Sequence, residues 1–410
     1  MDKKQPGVFS LTVIVGALGF FVDVYDLLLF GIVRKPSLKE LGLSPQEILS
    51  QGEFIISMQM IGLVVGGIIW GILGDKKGRL SVLFGSILIY SLANIANGMV
   101  INVTQYTVMR FIAGIGLAGE LGASITLVSE MLPKEKRGIA ASIIASVGVF
   151  GAVAAFFVYK FFGDWRLCFY IGGGMGLLLL ILRVSIFESG LFDELKHQNI
   201  ERGSLRMLFN KRERVLRYIK GVMIGLPVWY VIGILITFSD EFGKRFGINN
   251  IDPGKAIMYQ YIAISIGDMT AGLLSNYLKS RKKALFTFYG ICSFFIILFF
   301  CQHGGNANTM YLLIGCLGFG SGISVLYITM SAEQFGTNLR ATTAISIPNI
   351  VRGFLPLMIL LFKGIRYFTN DNYLLSAEIT GAIIMSIAIF SAYHIKETFG
   401  DDLNFIESNN

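Results

Sequence analysis

The sequence predicts an all-α membrane protein of twelve transmembrane helices, arranged as two pseudo-symmetric six-helix halves. Three observations carry this. The first is composition: the 410 residues are 54% hydrophobic and only 15% charged, with a mean hydropathy of +0.65, whereas a soluble domain carries about 25% charged residues. The second is the recurrence of apolar runs long enough to cross a bilayer as a helix. Twelve occur, at roughly 8–33, 52–73, 80–98, 105–131, 138–160, 167–186, 218–241, 254–278, 284–302, 309–333, 341–363 and 374–395. The third is a repeat. Glu130 ends an apolar, Gly-rich run and Arg137 opens the next; Glu333 and Arg340 do the same 203 residues later, with the same seven-residue separation. Lipid cannot satisfy free backbone polar groups, so the spans are expected as helices. Strand-like alternation is absent, which argues against a barrel.

Lys and Arg placement sets the orientation. With the N-terminus inside, and span-end residues counted with the nearer side, inner segments hold 23 of the 35 basic residues and outer segments 10; Arg110 and Arg352 fall within spans. The inner clusters are dense: Lys76, Lys77 and Arg79; Lys134, Lys136 and Arg137; Lys279, Arg281, Lys282 and Lys283. Both termini are therefore expected in the cytoplasm, with the protein in a bacterial inner membrane. The net charge of +8 follows from this topology. The basic residues are scattered among short loops, which excludes a nucleic-acid-binding face. The first span is too long for a cleavable signal peptide and lacks a small-residue cleavage site. Cys168, Cys292, Cys301 and Cys316 lack CxxC spacing and read as thiols in or beside spans. His197, His303 and His394 are too dispersed to suggest a metal site, and nothing implies a cofactor.

The longest polar segment, about 187–217, reads as an inner linker with partly amphipathic helical character. The expected division is 1–189 for the first half, 190–217 for the linker and 218–410 for the second half. Pseudo-repeats of this kind place substrate sites where the halves face each other.

The loop after the second span reads Gly71-Ile72-Leu73-Gly74-Asp75-Lys76-Lys77-Gly78-Arg79. It resembles the signature loop of the major facilitator superfamily, G-x-x-x-D-[RK]-x-G-[RK]. The plainer reading of these residues is an ordinary basic inner loop. Gly71 and Gly74 allow close helix approach, and Asp75 is placed to pair with a neighbouring helix end or with basic groups. A decayed copy, Gly272-Leu273-Leu274-Ser275-Asn276 followed by Lys279 and Arg281, lies at the matching place in the second half, with Asn276 where Asp75 stands in the first. The resemblance implies a role for Gly71, Gly74, Asp75 and Arg79 in conformational exchange. The fourth span begins Arg110-Phe111-Ile112-Ala113-Gly114-Ile115-Gly116-Leu117-Ala118-Gly119-Glu120. It is similar to the R-F-x-x-G-x-G-x-G pattern of the superfamily's sugar, phosphate and metabolite porters, and a carboxylate at Glu120 resembles the metabolite:proton and phosphate:proton symporters. The stretch Asp23-Val24-Tyr25-Asp26-Leu27 and the turn Asp164-Trp165-Arg166 fit the same groups. The exporter pattern G-x-x-x-G-P-x-x-G-G is not matched in span five, where Gly148 to Ala154 lack the proline.

Ionisable residues within spans are costly and therefore candidates for function. Helical rise places Asp23 roughly 4 Å, Asp26 roughly 8 Å and Arg110 roughly 12 Å outside the midplane, and Glu120 roughly 3 Å inside it. Asp26 and Arg110 thus share a depth and are expected to pair. Asp23 lies on the same helix face as Asp26. Protonation of Asp23 or Asp26 would loosen such a pair and couple proton entry to helix rearrangement; the alternative is a permanent pair that only fixes packing. Glu120 is a second proton site, a substrate ligand, or a protonated side chain bonding two helices. Arg352 sits near the middle of span eleven, between Pro348 and Gly353, and is always charged. It is expected to bind an anionic substrate group, the alternative being a structural pair with Asp268. Tyr25, Trp229, Tyr230 and Tyr327 offer aromatic faces with polar tips as pocket residues, the alternative being core packing or interface belts. Glu130 with Arg137, and Glu333 with Arg340, fall at the cytoplasmic rim and read as gate pairs.

The reading is a secondary active transporter, not an enzyme, that imports a small organic anion of carboxylate type with protons by alternating access, acting as a monomer in the lipid bilayer. Within transport, the rivals are an exporter or an importer of a larger polycarboxylate such as a siderophore. A non-transporting receptor or sensor that kept the fold is the rival of another class.

Overall fold

The structure is a computed structural model. It describes residues 11–77, 79–131, 134–188, 205–400 and 406–407; within the helices, side chains at 71–72, 74–77, 79–81, 120–131, 134–143 and a few other positions lie outside the description. The backbone is helical throughout its membrane-length segments. The first unit holds α1 (Leu11–Glu40), α2 (Pro45–Lys77), α3 (Arg79–Asn97), α4 (Val103–Met131), α5 (Lys134–Phe162) and α6 (Trp165–Glu188). The second holds the short α7 (Leu205–Leu208), then α8 (Arg212–Tyr230) continued by a π-helical turn at Val231–Ile236 and by α9 (Ser239–Phe246). After it come α10 (Pro253–Tyr277), α11 (Arg281–Phe300), α12 (Ala307–Gly320), α13 (Ser324–Glu333), α14 (Thr337–Gly353), α15 (Leu355–Phe368) and α16 (Tyr373–His394).

Taking α8 with its π turn, α12 with α13, and α14 with α15 as single crossings gives six membrane segments in each unit. Among the described residues, eight segments are long and apolar enough to span a bilayer by themselves, and Val82–Asn97 and Val147–Phe162 are shorter apolar helices. In α10, Gln260, Asp268 and Asn276 dilute the apolar run. The chain divides into two compact units, residues 1–202 and 203–410. Helix α8 begins at Arg212, so Arg212, Arg214 and Arg217 belong to its first turns rather than to a linker, and Arg214 is buried.

Helix starts carry their signals in the sequence. Ser44 and Glu47 form a reciprocal capping box before α2, with Ser44 N donating to Glu47 Oε2 at 2.8 Å. This hydrogen bonding lowers the Glu47 pKa below its ordinary value. Asp252 caps α10 through Gly254 N at 2.8 Å, with Pro253 following it. Ser280, Asn306 and Asn372 cap α11, α12 and α16 in the same way.

Within the first unit, α4 lies against both α2 and α3. Its glycines explain how. A Cβ at Gly114 would overlap the Gln59 carbonyl oxygen of α2, and Cβ atoms at Gly62 and Gly66 would overlap the Phe111 and Ile115 carbonyls of α4. Gly116 meets Tyr90 of α3 on another side of the same helix. The fourth-span glycine pattern is thus a packing code that brings three backbones together and positions Arg110 among them.

Second-unit crossings are less regular. Pro227 lies inside α8, and four residues on the helix widens to the π turn, where Thr237 N reaches Ile232 O at 3.1 Å. Proline removes a ladder donor, and single π turns mark such interruptions. Between α12 and α13 the chain breaks at Ser321-Gly322-Ile323. Asp268 of α10 closes the gap, its Oδ1 accepting from Ser324 N at 2.6 Å and Val325 N at 3.3 Å.

Candidate functional site

The first unit buries a charged cluster on α1, α3 and α4. Asp26 and Arg110 are both 0% exposed, and Arg110 Nη1 lies 3.3 Å from Asp26 Oδ1. The same nitrogen donates to Asn94 Oδ1 at 3.2 Å, and Nη2 donates to the Asp26 backbone carbonyl at 3.3 Å. The guanidinium carbon sits 5.2 Å from the centre of the Phe169 ring of α6, an arrangement in which the ring face adds to the attraction. Tyr106, one turn earlier on α4, stacks with Trp165 and meets Phe30 and Phe169 edge-on, roofing the cluster on one side. Asp23 is also fully buried, one turn below Asp26 on α1. Tyr25 points elsewhere: its hydroxyl donates to the Cys168 carbonyl at 2.9 Å, tying α1 to α6.

Trp165 and Arg166 form a second tie, at the start of α6. Trp165 Nε1 donates to Glu40 Oε2 at 2.7 Å, and Arg166 reaches Glu40 Oε1 at 3.2 Å and the Gly98 and Val100 carbonyls at 3.0 and 2.8 Å. The Asp164-Trp165-Arg166 turn therefore locks α6 to the ends of α1 and α3.

In the second unit, Arg352 lies in the last turn of α14, 9% exposed, with its guanidinium carbon 5.9 Å from the Trp229 ring centre. The helix is interrupted after it, at Gly353-Phe354, before α15 resumes. Tyr327 of α13 is buried within electrostatic range of both Arg352 and Asp268. Asp268, weighed from sequence as a structural partner of Arg352, has a backbone role as the cap of α13. The Tyr230 hydroxyl donates to the Ala377 carbonyl at 2.7 Å, which ties α8 to α16.

The end of the second unit where α10 meets α11 and α13 meets α14 is a network. Glu333 Oε1 lies 3.3 Å from Arg281 Nη2, and Glu333 also accepts from Thr398 Oγ1. Arg340 Nη2 donates to the Phe335 carbonyl at 3.2 Å and lies in electrostatic range of Glu333. Glu397, beyond α16, accepts from Ser280 Oγ and from the Arg281 and Lys282 amides at 3.0 and 3.1 Å. Burial alone would raise the Glu397 pKa, but these bonds and one from the Phe399 amide outweigh it and lower the pKa. The side chains of Glu120, Gly71, Gly74, Asp75, Arg79, Glu130 and Arg137 lie outside the described residues.

Sequence reasoning missed Asn94 and Glu397. A signal for Asn94 exists: Ser91, Asn94 and Asn97 recur every third residue in an otherwise apolar span and are fully buried. Glu397 carries no such mark, because its partners are backbone amides brought near by the fold.

Membrane-length helices carrying buried ionisable groups of opposite sign define a multi-pass integral membrane protein built as transporters are. A model of the Major Facilitator Superfamily matches residues 11–359, and the chain belongs to that superfamily. It is 28% identical over 379 residues to the niacin transporter NiaP of Acinetobacter baylyi, covering 83% of this chain and 84% of that protein. It is 24% identical over 382 residues to the benzoate transport protein of the same organism, covering 83% and 80%. Its fold matches the inward-open conformation of the xylose transporter XylE from E. coli with a TM-score of 0.73 at 17% identity, covering 97% of this chain and 98% of that one.

Proposed function

We propose that this protein imports a small organic carboxylate together with protons, by alternating access, across a bacterial inner membrane with both termini in the cytoplasm. The observation that carries the substrate class is Arg352: a permanent cation held inside an apolar crossing, beside the Trp229 face and near Tyr327. A guanidinium fork matches a carboxylate, and an aromatic wall beside it suits a planar organic acid. Niacin and benzoate, which the relatives above are named for transporting, are both aromatic carboxylates and lead the set of cargoes to try. In this reading Asp26 and Asp23 take the proton, Arg110 senses their charge, and Glu120 acts as a further proton or substrate group. Glu333 and Arg340, with Glu130 and Arg137, act at the cytoplasmic gate.

The test is ligand-induced stabilisation of the purified protein. A ligand at about a hundred times its Kd stabilises the folded state by about 2.7 kcal/mol. Nicotinate or benzoate is expected to raise the melting temperature of the wild type in a concentration-dependent way, and Arg352→Ala to lose the rise while melting cooperatively. Stabilisation that survives in Arg352→Ala removes the carboxylate role of Arg352.

A further inference from the structure

We propose that Asn94 is a positioning residue for proton coupling: it holds Arg110 in place when Asp26 takes up a proton, and so sets the pH at which Asp26 does so. This rests on the reading of Asp26 as a proton acceptor.

The geometry divides the work among named atoms. Asp26 Oδ1 is the oxygen 3.3 Å from Arg110 Nη1, while Oδ2 is buried and has no hydrogen-bond partner among the described residues. A proton arriving at Asp26 therefore goes to Oδ2 and leaves Oδ1 as a neutral acceptor. Arg110 does not lose its charge, so the cluster passes from a neutral pair to a buried cation. A buried cation without acceptors is strongly unfavourable, and two acceptors remain that do not titrate: Asn94 Oδ1 at 3.2 Å from Nη1 and the Asp26 carbonyl at 3.3 Å from Nη2. Of these, only Asn94 Oδ1 belongs to a side chain, carried by α3. Its own Nδ2 is buried with no hydrogen-bond partner among the described residues. Asn94 is thus held in the cluster by its oxygen and the Arg110 charge.

The charge environment is otherwise fixed. Among the described residues, the titratable or charged side chains buried on the packed helices are Asp23, Tyr25 and Arg34 of α1, Glu53 of α2, Tyr90 of α3, Tyr106 of α4, and Cys168 and Arg183 of α6; α5 adds Tyr159 and Lys160 near its C-terminal end. Tyr25 and Tyr106 are in electrostatic range of Asp26. None of them changes when position 94 is substituted. Removing the Asn94 oxygen makes Arg110 depend more on an ionised Asp26, so the proton is held less tightly. Placing a carboxylate at position 94 gives Arg110 a second counter-charge and sets a like charge beside Asp26, so the proton is held more tightly. The two substitutions therefore push in opposite directions, which loss of packing alone would not do.

The experiment is an infrared difference titration of the purified full chain, following the stretch of protonated carboxyl groups. The component that disappears in Asp26→Asn reports Asp26. Its midpoint is expected to fall by about one pH unit or more in Asn94→Ala, and to rise by about one unit or more in Asn94→Asp; the pair Asn94→Asp with Asp26→Asn identifies the signal of the introduced carboxyl. Should Asn94→Ala not purify, the upward shift in Asn94→Asp, which keeps the side-chain size, decides alone. Unmoved midpoints, or shifts in the same direction, overturn the role of Asn94 and leave the proton reading of Asp26 standing. No component lost in Asp26→Asn overturns that reading itself, and this proposal with it.

Discussion

Substituting Arg110 by Leu should be among the most damaging single changes in the first unit, and the reason is Asp26 rather than the lost arginine. Both side chains are 0% exposed, and Arg110 Nη1 lies 3.3 Å from the Asp26 carboxylate. Removing one member of a buried pair leaves an uncompensated charge and costs about 3–5 kcal/mol, whereas replacing both by apolar groups is often neutral. For a unit of this size that cost corresponds to a fall of roughly 6–20 °C in the melting midpoint. Thermal melting of the purified protein in detergent, read by size exclusion, is the assay. Arg110→Leu should melt far below wild type, and Asp26→Leu with Arg110→Leu should recover most of the loss. If the double substitution is as unstable as the two single ones added together, the residues do not interact and the cluster is wrongly built.

Gly114→Val should prevent α2 and α4 from closing, because a Cβ at Gly114 overlaps the Gln59 carbonyl, while Gly67→Ala, where a Cβ meets nothing within 4 Å, should leave yield and monodispersity unchanged. Asp268→Leu should destabilise the second unit by about 1–2 kcal/mol, as lost helix caps do, and Asp268→Asn, which keeps an acceptor, by less; the melting midpoints of the two variants check this order. Glu397→Gln tests the strap beneath α11. The native hydrogen bonds lower the Glu397 pKa below 4.5, so the stability it adds is present above that value and is lost as pH falls through the lower folded value. The melting difference between wild type and Glu397→Gln should be full at neutral pH and disappear in acid; a difference that grows in acid contradicts the capping role.

Much of the fold was legible because lipid imposes a simple code. Apolar length gives the crossings, and the loop after the second span together with the fourth-span pattern gives the superfamily. The Asp26–Arg110 proximity was legible for a related reason: charges inside spans are rare, and helical rise alone set both at a similar depth. Asn94 was only partly legible: its recurrence with Ser91 and Asn97 marks a polar face of α3, but its role depends on which face of α3 meets α4. The interruptions at Val231–Ile236 and at Ser321–Ile323 also escaped, because hydropathy runs through them unbroken and only the partners, Thr237 and Asp268, reveal them. The Glu333–Arg340 spacing pointed to a rim element. Among the described residues Glu333 pairs with Arg281, from the decayed copy of the signature loop, a contact made by folding rather than by local sequence.

The central claim is that a proton gradient drives uptake of an organic carboxylate. Proteoliposomes holding the wild-type chain, with acid outside and neutral buffer inside, should accumulate labelled benzoate or nicotinate above the equilibrium level. An uncoupler should abolish the accumulation, and so should Asp26→Asn. Accumulation that is indifferent to the gradient, or that persists in Asp26→Asn, contradicts the claim.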